Sequence, residues 1–315
     1  SSNYNSQGGE PMFFQWYYPK ASKIEPEQVA YIKGWMNQFE DALFAESCTG
    51  GNGVRYTEYI DINSFTDFVL INELSKNSDG YKLSSYVHKH ADSKGGKLVA
   101  GPIWDFDQTY GLSDVCSNGD PMGWTYLQNQ EGCEDLESMP MWWQSMLADT
   151  LFRNHLISRW KMFRASFLRL DSINAWIDSN KAFISGAISR NFHQWDDFIG
   201  NTIWAEPEPI PQSYDEEIIY LKRWITQRID WMDANLEGIS TERREIVNLY
   251  PNPTTGILTL ETGADIQVSV MDLNGRVILQ TNSKQIDLSP YHNGVYLVQI
   301  VIDEEVLCAQ KVVKY

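Results

Sequence analysis

The sequence is short of positive charge. Lys and Arg together number 25 against 42 Asp and Glu, and the formal net charge is −17. Nucleic-acid binding relies on a basic surface that neutralises phosphates, and docking on anionic lipid also requires positive charge on the protein. Bulk electrostatics therefore argue against both kinds of partner. The composition is compatible with a secreted protein, with divalent cations or with a basic partner.

Long apolar runs are also absent. No stretch reaches the length of consecutive apolar residues that a membrane-spanning helix requires. The chain begins SSNYNSQGGEP, with neither Met nor a signal peptide, as a processed or truncated polypeptide does. We therefore predict no transmembrane segment, and the start of the chain does not indicate a compartment.

Cysteine is scarce as well. The four cysteines form no CxxC pair and no Cys/His spacing that fits a zinc site. Cys116 and Cys133 bracket the loop SNGDPMGWTYLQNQEG. A disulfide between them would pin this loop in an exported protein, whereas free buried cysteines are the alternative.

Apolar and aromatic residues are, in contrast, plentiful. Hydrophobic residues make up 43% of the 315 positions, and 12 of them are Trp. Chain length suggests two domains, and this composition is ample for their cores. So many tryptophans indicate large cores, a carbohydrate-facing surface, or both.

The first part of the chain has the pattern of a mainly helical α+β domain. Residues 10–20 are interpreted as a strand, and residues 84–90 and 97–104 as a hairpin around the turn ADSKGG. Ser64 and Asp67 have the spacing of a capping box. Apolar residues at steps of three and four predict helices within residues 24–47, 62–81, 137–190 and 214–236.

The pattern changes after residue 240. ISTERREIV is a charged connector, and short alternating strands follow, with turn signals at Asn274-Gly275 and Asn293-Gly294. We predict a domain over residues 1–240, a linker over 241–247, and a small all-β immunoglobulin-like sandwich over 248–315.

The segment GPIWDFDQTYG carries two aspartates, Asp105 and Asp107, at the end of an apolar run. In a strand, residues i and i+2 point to the same face, so both carboxylates would project together with Phe106 opposite. Two hard oxygen ligands suit Mg²⁺ or Ca²⁺. Taken alone, the same pattern is also typical of a strand that ends in solvent.

The predicted hairpin adds further charged residues to this pair. If His90 pairs with Lys97, the register places Lys82 opposite Asp105 and brings Asp79 beside them. The carboxylates repel one another unless a cation or a proton offsets them, and a divalent cation is the simplest offset. Lys82 would then contact a bound phosphate or form an ion pair with Asp105.

The order of helix, Asp loop, strand, turn, strand and Asp-aromatic resembles the catalytic half of a protein kinase, with DFD in place of DFG and no HRD. Residues 10–238 resemble the CotH kinase family (spore coat protein H-like). The blocks that carry the likeness are YYPKASKIEPEQVAYIKGWMNQFEDAL, FTDFVLINELSKNSDGYKLSSYVHK, GGKLVAGPIWDFDQTYG and YDEEIIYLKRWITQRIDWMDANL. Residues 248–315, with YPNPTTG, MDLNGR, NGVYLVQI and KVVKY, resemble the C-terminal sorting domain of the Bacteroidetes type IX secretion system.

The first resemblance implies a kinase-like C-lobe that uses Mg²⁺ and ATP to phosphorylate hydroxyls of an exported protein. Asp79 would be the catalytic-loop aspartate, with Lys82 near it, and Asp105 the metal ligand in the DFG role, with Asp107 as auxiliary ligand. The kinase Asn that lies about five residues after the catalytic Asp is replaced here by a serine, at position 84 or 85.

Two departures qualify these implications. No Gly-rich phosphate loop and no lysine on a β3-like strand are present, so we expect the ATP-binding N-lobe to be missing and this polypeptide to lack full kinase turnover.

The second resemblance implies passage through the type IX machinery to the outer-membrane surface or the medium, with the tail usually removed. Export favours the disulfide between Cys116 and Cys133.

The residues alone do not exclude other functions. A catalytically inactive adhesin or carbohydrate-binding protein would stack sugars on exposed tryptophans, although most are expected in the core. The candidates are Trp104, Trp124, Trp142, Trp143, Trp195 and Trp204. A glycoside hydrolase would need facing carboxylates, but the neighbours in Asp196-Asp197 and Glu216-Glu217 point different ways. His88 and His90, on one strand face, would make a metal site with no third ligand.

Overall fold

The computed structural model describes residues 2, 4, 12–45, 48–113, 115–128, 139–195, 198–201, 210–240, 248–261, 266–272, 276–302 and 305–315. The chain divides into two compact units, Ser1–Ser240 and Thr241–Tyr315. In the described residues the first unit is mainly helical with one short hairpin, and the second contains only strands. The predicted α+β class is therefore confirmed.

The helices lie where the apolar periodicity predicts them, although residues 137–190 are divided among several. They are α1 (Pro26–Leu43), α2 (Ile62–Ser75), α3 (Met141–Ala148), α4 (Thr150–Arg164), α5 (Leu170–Phe183), α6 (Ser185–Gln194) and α7 (Tyr214–Asn235). The break between α3 and α4 occurs at Asp149, which is extended and accepts a hydrogen bond from the backbone N–H of Leu151. Asp149 therefore ends one helix and caps the next.

The start of α2 differs from the prediction. Asp61 is the N-cap, and its Oδ1 accepts a 2.8 Å hydrogen bond from the backbone N–H of Ser64. Asp67 instead accepts hydrogen bonds from the guanidinium of Arg159 on α4. The predicted capping box of Ser64 and Asp67 is wrong, because the carboxylate of Asp61 already accepts a hydrogen bond from a backbone N–H of the first turn.

The predicted strand over residues 10–20 is also wrong for the part that is described. Residues 12–16 have no regular structure, and residues 17–23 form turns. Phe14 stacks on Trp142 with ring centroids 5.2 Å apart, and Tyr17 contacts Tyr86 edge to face with ring centroids 5.3 Å apart. Ring contacts rather than backbone pairing therefore hold this aromatic segment.

Helix α2 lies at the centre of the first unit, where it packs against α4, α7 and the hairpin. Its Phe68 stacks on the fully buried Trp143 of α3 with centroids 5.3 Å apart, and both rings contact Tyr81. Burial of each such ring contributes roughly 1.5–3 kcal/mol. This aromatic cluster fixes the end of α2 and the loop that follows it.

The hairpin consists of β1 (Val87–Lys89) and β2 (Leu98–Ala100), which pair antiparallel with Val87 opposite Ala100. The backbone N–H of His90 donates to the carbonyl of Lys97 at 3.3 Å, as the predicted register requires. The register is therefore confirmed, although both strands are shorter than predicted. Leu98 and Ala100 face inward and are buried, whereas His88 and His90 are exposed.

The second unit contains two antiparallel sheets around one apolar core. One sheet has the order β3-β4-β7 and the other β6-β5-β8-β9. The strands are β3 (Asn248–Tyr250), β4 (Ile257–Glu261), β5 (Ile266–Met271), β6 (Val277–Thr281), β7 (Gln285–Asp287), β8 (Gly294–Ile302) and β9 (Glu305–Lys314). Asn293-Gly294 lies where the chain enters β8, whereas Asn274-Gly275 and the linker 241–247 lie outside the described residues.

Candidate functional site

The loop after α2 begins with a reversal of the backbone. Lys76 takes the left-handed conformation, with φ of 52°, and its N–H bonds back to the carbonyls of Asn72 and Glu73. The N–H of Asn77 also donates to the Asn72 carbonyl, at 3.1 Å. These bonds satisfy the last carbonyls of the helix and turn the chain toward Asp79.

Asn77 joins the two acidic segments that the sequence singles out. Its buried side chain accepts a hydrogen bond from the backbone N–H of Asp79 at 3.1 Å through Oδ1. Through Nδ2 it donates to the backbone carbonyl of Asp105 at 3.2 Å. Asn77 was not among the residues predicted from the sequence, although an Asn two positions before a loop residue is the usual signal of an Asx-turn.

Ser84 provides a second link between the same segments. Its backbone N–H donates to the carbonyl of Asp79 at 3.0 Å, and its Oγ donates to Oδ2 of Asp105 at 3.4 Å. Ser84 is buried, whereas Ser85 is half-buried. Of the two serines that the sequence left open, Ser84 is the one in contact with Asp105.

Asp79 and Lys82 form an ion pair within the loop, with Nζ and Oδ1 3.8 Å apart. The Lys82 side chain is 3% exposed and that of Asp79 is 41% exposed. Within the described residues, the carboxylate that pairs with Lys82 is therefore that of Asp79 and not that of Asp105. The loop thus places a buried ammonium beside a solvent-accessible carboxylate.

The predicted strand geometry of Asp105 and Asp107 is wrong. The ladder of β2 ends just after Ala100, because Gly101 has φ of +117° and Pro102 has no N–H to donate. Asp105 itself has φ of +63°, so it is not extended. Its side chain and that of Asp107 are both exposed, but they do not project from one strand face.

Asp107 stands apart from the network around Asp105. Among the described residues it makes no hydrogen bond or ion pair with Asn77, Ser84 or Asp79. The turn around it is closed instead by the hydroxyl of Thr109, which donates to the carbonyl of Phe106 at 2.6 Å. Hydrogen bonds and an ion pair thus link the segments of Asp79, Lys82 and Asp105, and Asp107 takes no part in these contacts among the described residues.

The residues at this site fit a magnesium ion that arrives with a phosphate ligand. The described residues contain no group of three or more His, Cys, Asp or Glu side chains that could hold a metal alone. Mg²⁺ uses one or two carboxylates and completes its shell with water and substrate phosphates. An exposed Asp105 carboxylate beside the Ser84 hydroxyl supplies such a partial set of hard oxygen donors.

A buried ion pair holds the end of α2, where the loop that carries Asp79 begins. Arg228 of α7 donates to Oε2 of Glu73 at 3.1 Å and to the Glu73 carbonyl at 2.8 Å, and both side chains are almost fully buried. Glu73 also accepts hydrogen bonds from the hydroxyl of Tyr81 and from the N–H groups of Thr125 and Tyr126. Every one of these donors stabilises the ionised carboxylate.

Burial acts on the two partners of this pair in opposite senses. It raises the pKa of the Glu73 carboxyl and lowers the pKa of the Arg228 guanidinium to about 10. Arg228 is still charged at neutral pH with such a value, and its charge together with the four donors favours Glu73 as an anion. The pair joins residues 155 positions apart, so no local sequence pattern could have indicated it.

The 117–123 loop, which follows the DFD segment, is held by side chains from outside it. The Lys76 ammonium donates to the carbonyls of Ser117 and Met122. The Arg228 guanidinium donates to those of Pro121 and Gly123, at 2.8 and 2.7 Å. Trp224 Nε1 donates to the Gly119 carbonyl at 2.7 Å. Carbonyls that would otherwise be unpaired thus face cationic or N–H donors.

Most candidate sugar-stacking tryptophans that are described are packed in the core or against neighbours. Trp142 and Trp143 are buried, and Trp124 packs against Trp231 with ring centroids 4.6 Å apart. Trp104 and Trp195 are exposed, at 59% and 56%. Trp204 lies outside the described residues. The expectation that most of these rings serve the core is therefore confirmed for Trp124, Trp142 and Trp143.

The acidic pairs proposed for a glycoside hydrolase find no support. Asp196 and Asp197 lie outside the described residues. Glu216 lies in the first turn of α7, where Oε2 accepts a 2.7 Å hydrogen bond from the N–H of Gln212 and its own N–H donates to Ser213. This carboxylate therefore serves the start of a helix.

Cys116, in the loop after the DFD segment, is disulfide-bonded. Cys133, its predicted partner, lies outside the described residues. No helix in the described part of the chain is long and apolar enough to cross a membrane.

Comparison with known proteins agrees with this division of the chain. No curated protein matches the sequence. Residues 248–315 match the family model described as the secretion system C-terminal sorting domain, which indicates export through the type IX machinery. Residues 3–232 match the family model described as CotH kinase protein. Because this match covers far more than half of the chain and includes Asp79, Lys82 and Asp105, the chain belongs to the CotH kinase protein family.

Proposed function

We propose that this protein is an exported, kinase-like protein that binds a Mg²⁺-nucleotide at the Asp79–Asp105 site and transfers phosphate to hydroxyls of an exported protein. The observation that carries the proposal is the network of Asn77 and Ser84. It links a half-exposed Asp79, paired with Lys82, to an exposed Asp105 from a segment 26 residues further along the chain. Two linked aspartates with unequal surroundings suit a division of roles between proton handling and metal binding.

Asp79 would orient the acceptor hydroxyl and accept its proton. Its carboxylate is accessible to a substrate, and the ion pair with the buried Lys82 ammonium limits its rotation. Lys82 is also within reach of a phosphate placed beside Asp79, which would give the same ammonium a second role. Asn77 acts on the backbone, because it anchors both the N–H of Asp79 and the carbonyl of Asp105.

Asp105 and Ser84 would hold the cation. A bound Mg²⁺ would supply charge neutralisation at the phosphate oxygens. The Ser84 hydroxyl is a weaker donor than the Asn that kinases use at this place, so we propose that the site holds one ion well and a second one poorly. Asp107 would contribute only as an outlying ligand, since it lies apart from the network in the described residues.

The finer architecture is part of the same proposal. We propose that residues 1–240 have the arrangement of a kinase C-lobe and that residues 248–315 are an immunoglobulin-like sandwich recognised by the secretion machinery. The protein would act at the outer-membrane surface or in the medium. The family match and the order of Asp79, hairpin and Asp105 support the first part, and the two antiparallel sheets support the second.

The test measures Mg²⁺-dependent ATP binding by calorimetry in wild type, Asp105→Asn, Lys82→Met and the control Asp230→Asn. Asp230 is an exposed carboxylate on α7, so its loss should leave the affinity unchanged. We expect Asp105→Asn and Lys82→Met each to lower the affinity about tenfold or more, which is ~1.4 kcal/mol. Unchanged affinity in both variants would overturn the assignment.

A phosphotransfer assay on the same proteins separates the roles of the two aspartates. Because the sequence has no Gly-rich phosphate loop, we expect only slow transfer from labelled ATP to a protein acceptor in wild type. Asp79→Asn should abolish this transfer while nucleotide binding persists, because the role of Asp79 is in proton handling. Nucleotide binding without transfer in wild type would instead indicate a non-catalytic role for this scaffold at the cell surface.

A further inference from the structure

The outer face of the β1–β2 hairpin carries two histidines that the proposed function does not use. His88 and His90 alternate with the partly buried Lys89 along β1 and its end, and both are exposed. Because alternate residues of a strand point to the same face, the two imidazoles are neighbours on one surface. Both rings are accessible from solvent.

The two rings have the separation that a shared metal ion requires. Their centroids are 5.0 Å apart and their planes are inclined at 85°. Two imidazoles on one tetrahedral ion, at metal–nitrogen distances of about 2.1 Å, have ring centroids roughly 5 Å apart. The centroid separation of the pair therefore matches that of two imidazoles on one ion.

One of the two ligands is also oriented by a second bond. His88 Nδ1 lies 3.2 Å from the carbonyl oxygen of Gly101. Because a carbonyl oxygen can only accept, Nδ1 carries the hydrogen in the neutral ring, and Nε2 keeps the lone pair that a metal ion can accept. A bond from the distal ring nitrogen to a backbone carbonyl is the usual outer-shell support of a metal-ligating histidine.

We propose that His88 and His90 form a surface site for a borderline transition-metal ion, Cu²⁺, Ni²⁺ or Zn²⁺. Imidazole nitrogens suit these ions, whereas Mg²⁺ and Ca²⁺ prefer oxygen ligands. No third protein ligand joins the pair within the described residues, so water or a second molecule occupies the remaining positions. The site is chemically distinct from the oxygen donors at Asp105 and does not depend on kinase activity.

The bond to Gly101 gives the metal a connection to the candidate active site. Gly101 opens the GPIWDFD segment, and its N–H donates to the Tyr86 carbonyl at 2.8 Å. A metal ion on Nε2 makes the Nδ1–H group of His88 a stronger donor to the Gly101 carbonyl. Occupancy of the histidine site therefore anchors the start of the segment that leads to Asp105.

The experiment titrates tag-free, full-length protein with Cu²⁺ alone, because Cu²⁺ binds nitrogen sites most strongly in the divalent series. We compare wild type with His88→Ala, His90→Ala, the double variant and the control His193→Ala, which removes one exposed imidazole from α6. We expect one equivalent in wild type, with electron paramagnetic resonance couplings from two nitrogen ligands. Each of the two single variants on β1 should bind about tenfold or more weakly, and His193→Ala should bind as wild type does.

Two results would overturn the proposal. One is equal Cu²⁺ affinity in wild type and in the His88→Ala/His90→Ala double variant. The other is a nitrogen coupling that disappears in His193→Ala but persists in the double variant. Far-UV circular dichroism checks the fold of each variant, and the exposure of both side chains predicts that it is unchanged.

Discussion

At the scale of single residues, Asp105 meets two separate requirements, one on its side chain and one on its backbone. Its carboxylate is exposed and accepts a hydrogen bond from Ser84, while its backbone is left-handed with φ of +63°. Asn and Asp tolerate this conformation better than most residues, whereas a β-branched side chain does not. An aspartate at this position therefore serves the loop geometry as well as any charge-based chemistry.

This double role predicts different outcomes for two substitutions. Asp105→Asn should keep the free energy of unfolding near that of wild type, whereas Asp105→Val should lower it by roughly 1–2 kcal/mol relative to Asp105→Asn. The same pair of substitutions at Asp107, whose φ is not positive, should differ little. Urea denaturation of the four variants measures the effect. Equal stability of Asp105→Asn and Asp105→Val would contradict the strain argument.

At the scale of elements, the end of α2 and the middle of α7 are joined through Glu73 and Arg228. The guanidinium connects one carboxylate, the Glu73 carbonyl and two carbonyls of the 117–123 loop. It also lies over the ring of Trp231, 4.8 Å from the centroid. One side chain of α7 thus fixes a helix end and a loop, and both adjoin the candidate site.

Removal of this guanidinium should therefore be costly. Arg228→Met leaves the Glu73 carboxylate buried without its cation and should lower the free energy of unfolding by about 3–5 kcal/mol. Arg223→Met, on the exposed side of the same helix, is the matched control and should change it by less than ~0.5 kcal/mol. Chemical denaturation followed by circular dichroism provides both values. A loss in Arg228→Met no greater than in the control would show that the pair carries no net stabilisation.

Elements differ in how far the sequence could predict them. The helices follow apolar periodicity, and the hairpin register follows from the turn ADSKGG, since both are set by neighbouring residues. The conformation of Asp105 is not local, because it depends on the end of the β2 ladder and on the bond from Asn77. The Glu73–Arg228 pair depends on the packing of α7 beside α2. The roles predicted for Asp79, Lys82, Asp105 and Asp107 remain predictions, whereas the strand geometry predicted for Asp105 and Asp107 is wrong because φ of Asp105 is positive.

At the scale of the whole molecule, two units with different chemistry share one chain. Each has an apolar core of its own, one built mainly on helices and one between two sheets. The first belongs to a kinase family and the second to a sorting domain. We propose that residues 241–247 join units that fold independently, so that one can be removed without loss of the other.

Limited trypsin digestion tests this independence. Arg243 and Arg244 lie in the proposed linker between the two compact units, so early cleavage there should release two fragments. Each fragment should keep its own cooperative thermal transition, because its core is complete. The larger should give a helical circular-dichroism spectrum and the smaller a β-sheet spectrum. Loss of cooperative unfolding in either fragment would contradict the proposal.

The contacts that hold the 117–123 loop determine which substitutions the loop can accept. Lys76, Trp224 and Arg228 donate hydrogen bonds to five backbone carbonyls of the loop, so much of its shape does not depend on its own side chains. The exposed side chain of Met122 can therefore be exchanged with little effect on the course of the chain, whereas Ser117, with φ of +59°, tolerates fewer residue types. Under the proposed function, substitutions in such a loop would alter which macromolecule is recognised near Asp79 while the contacts among Asn77, Asp79, Ser84 and Asp105 stay unchanged.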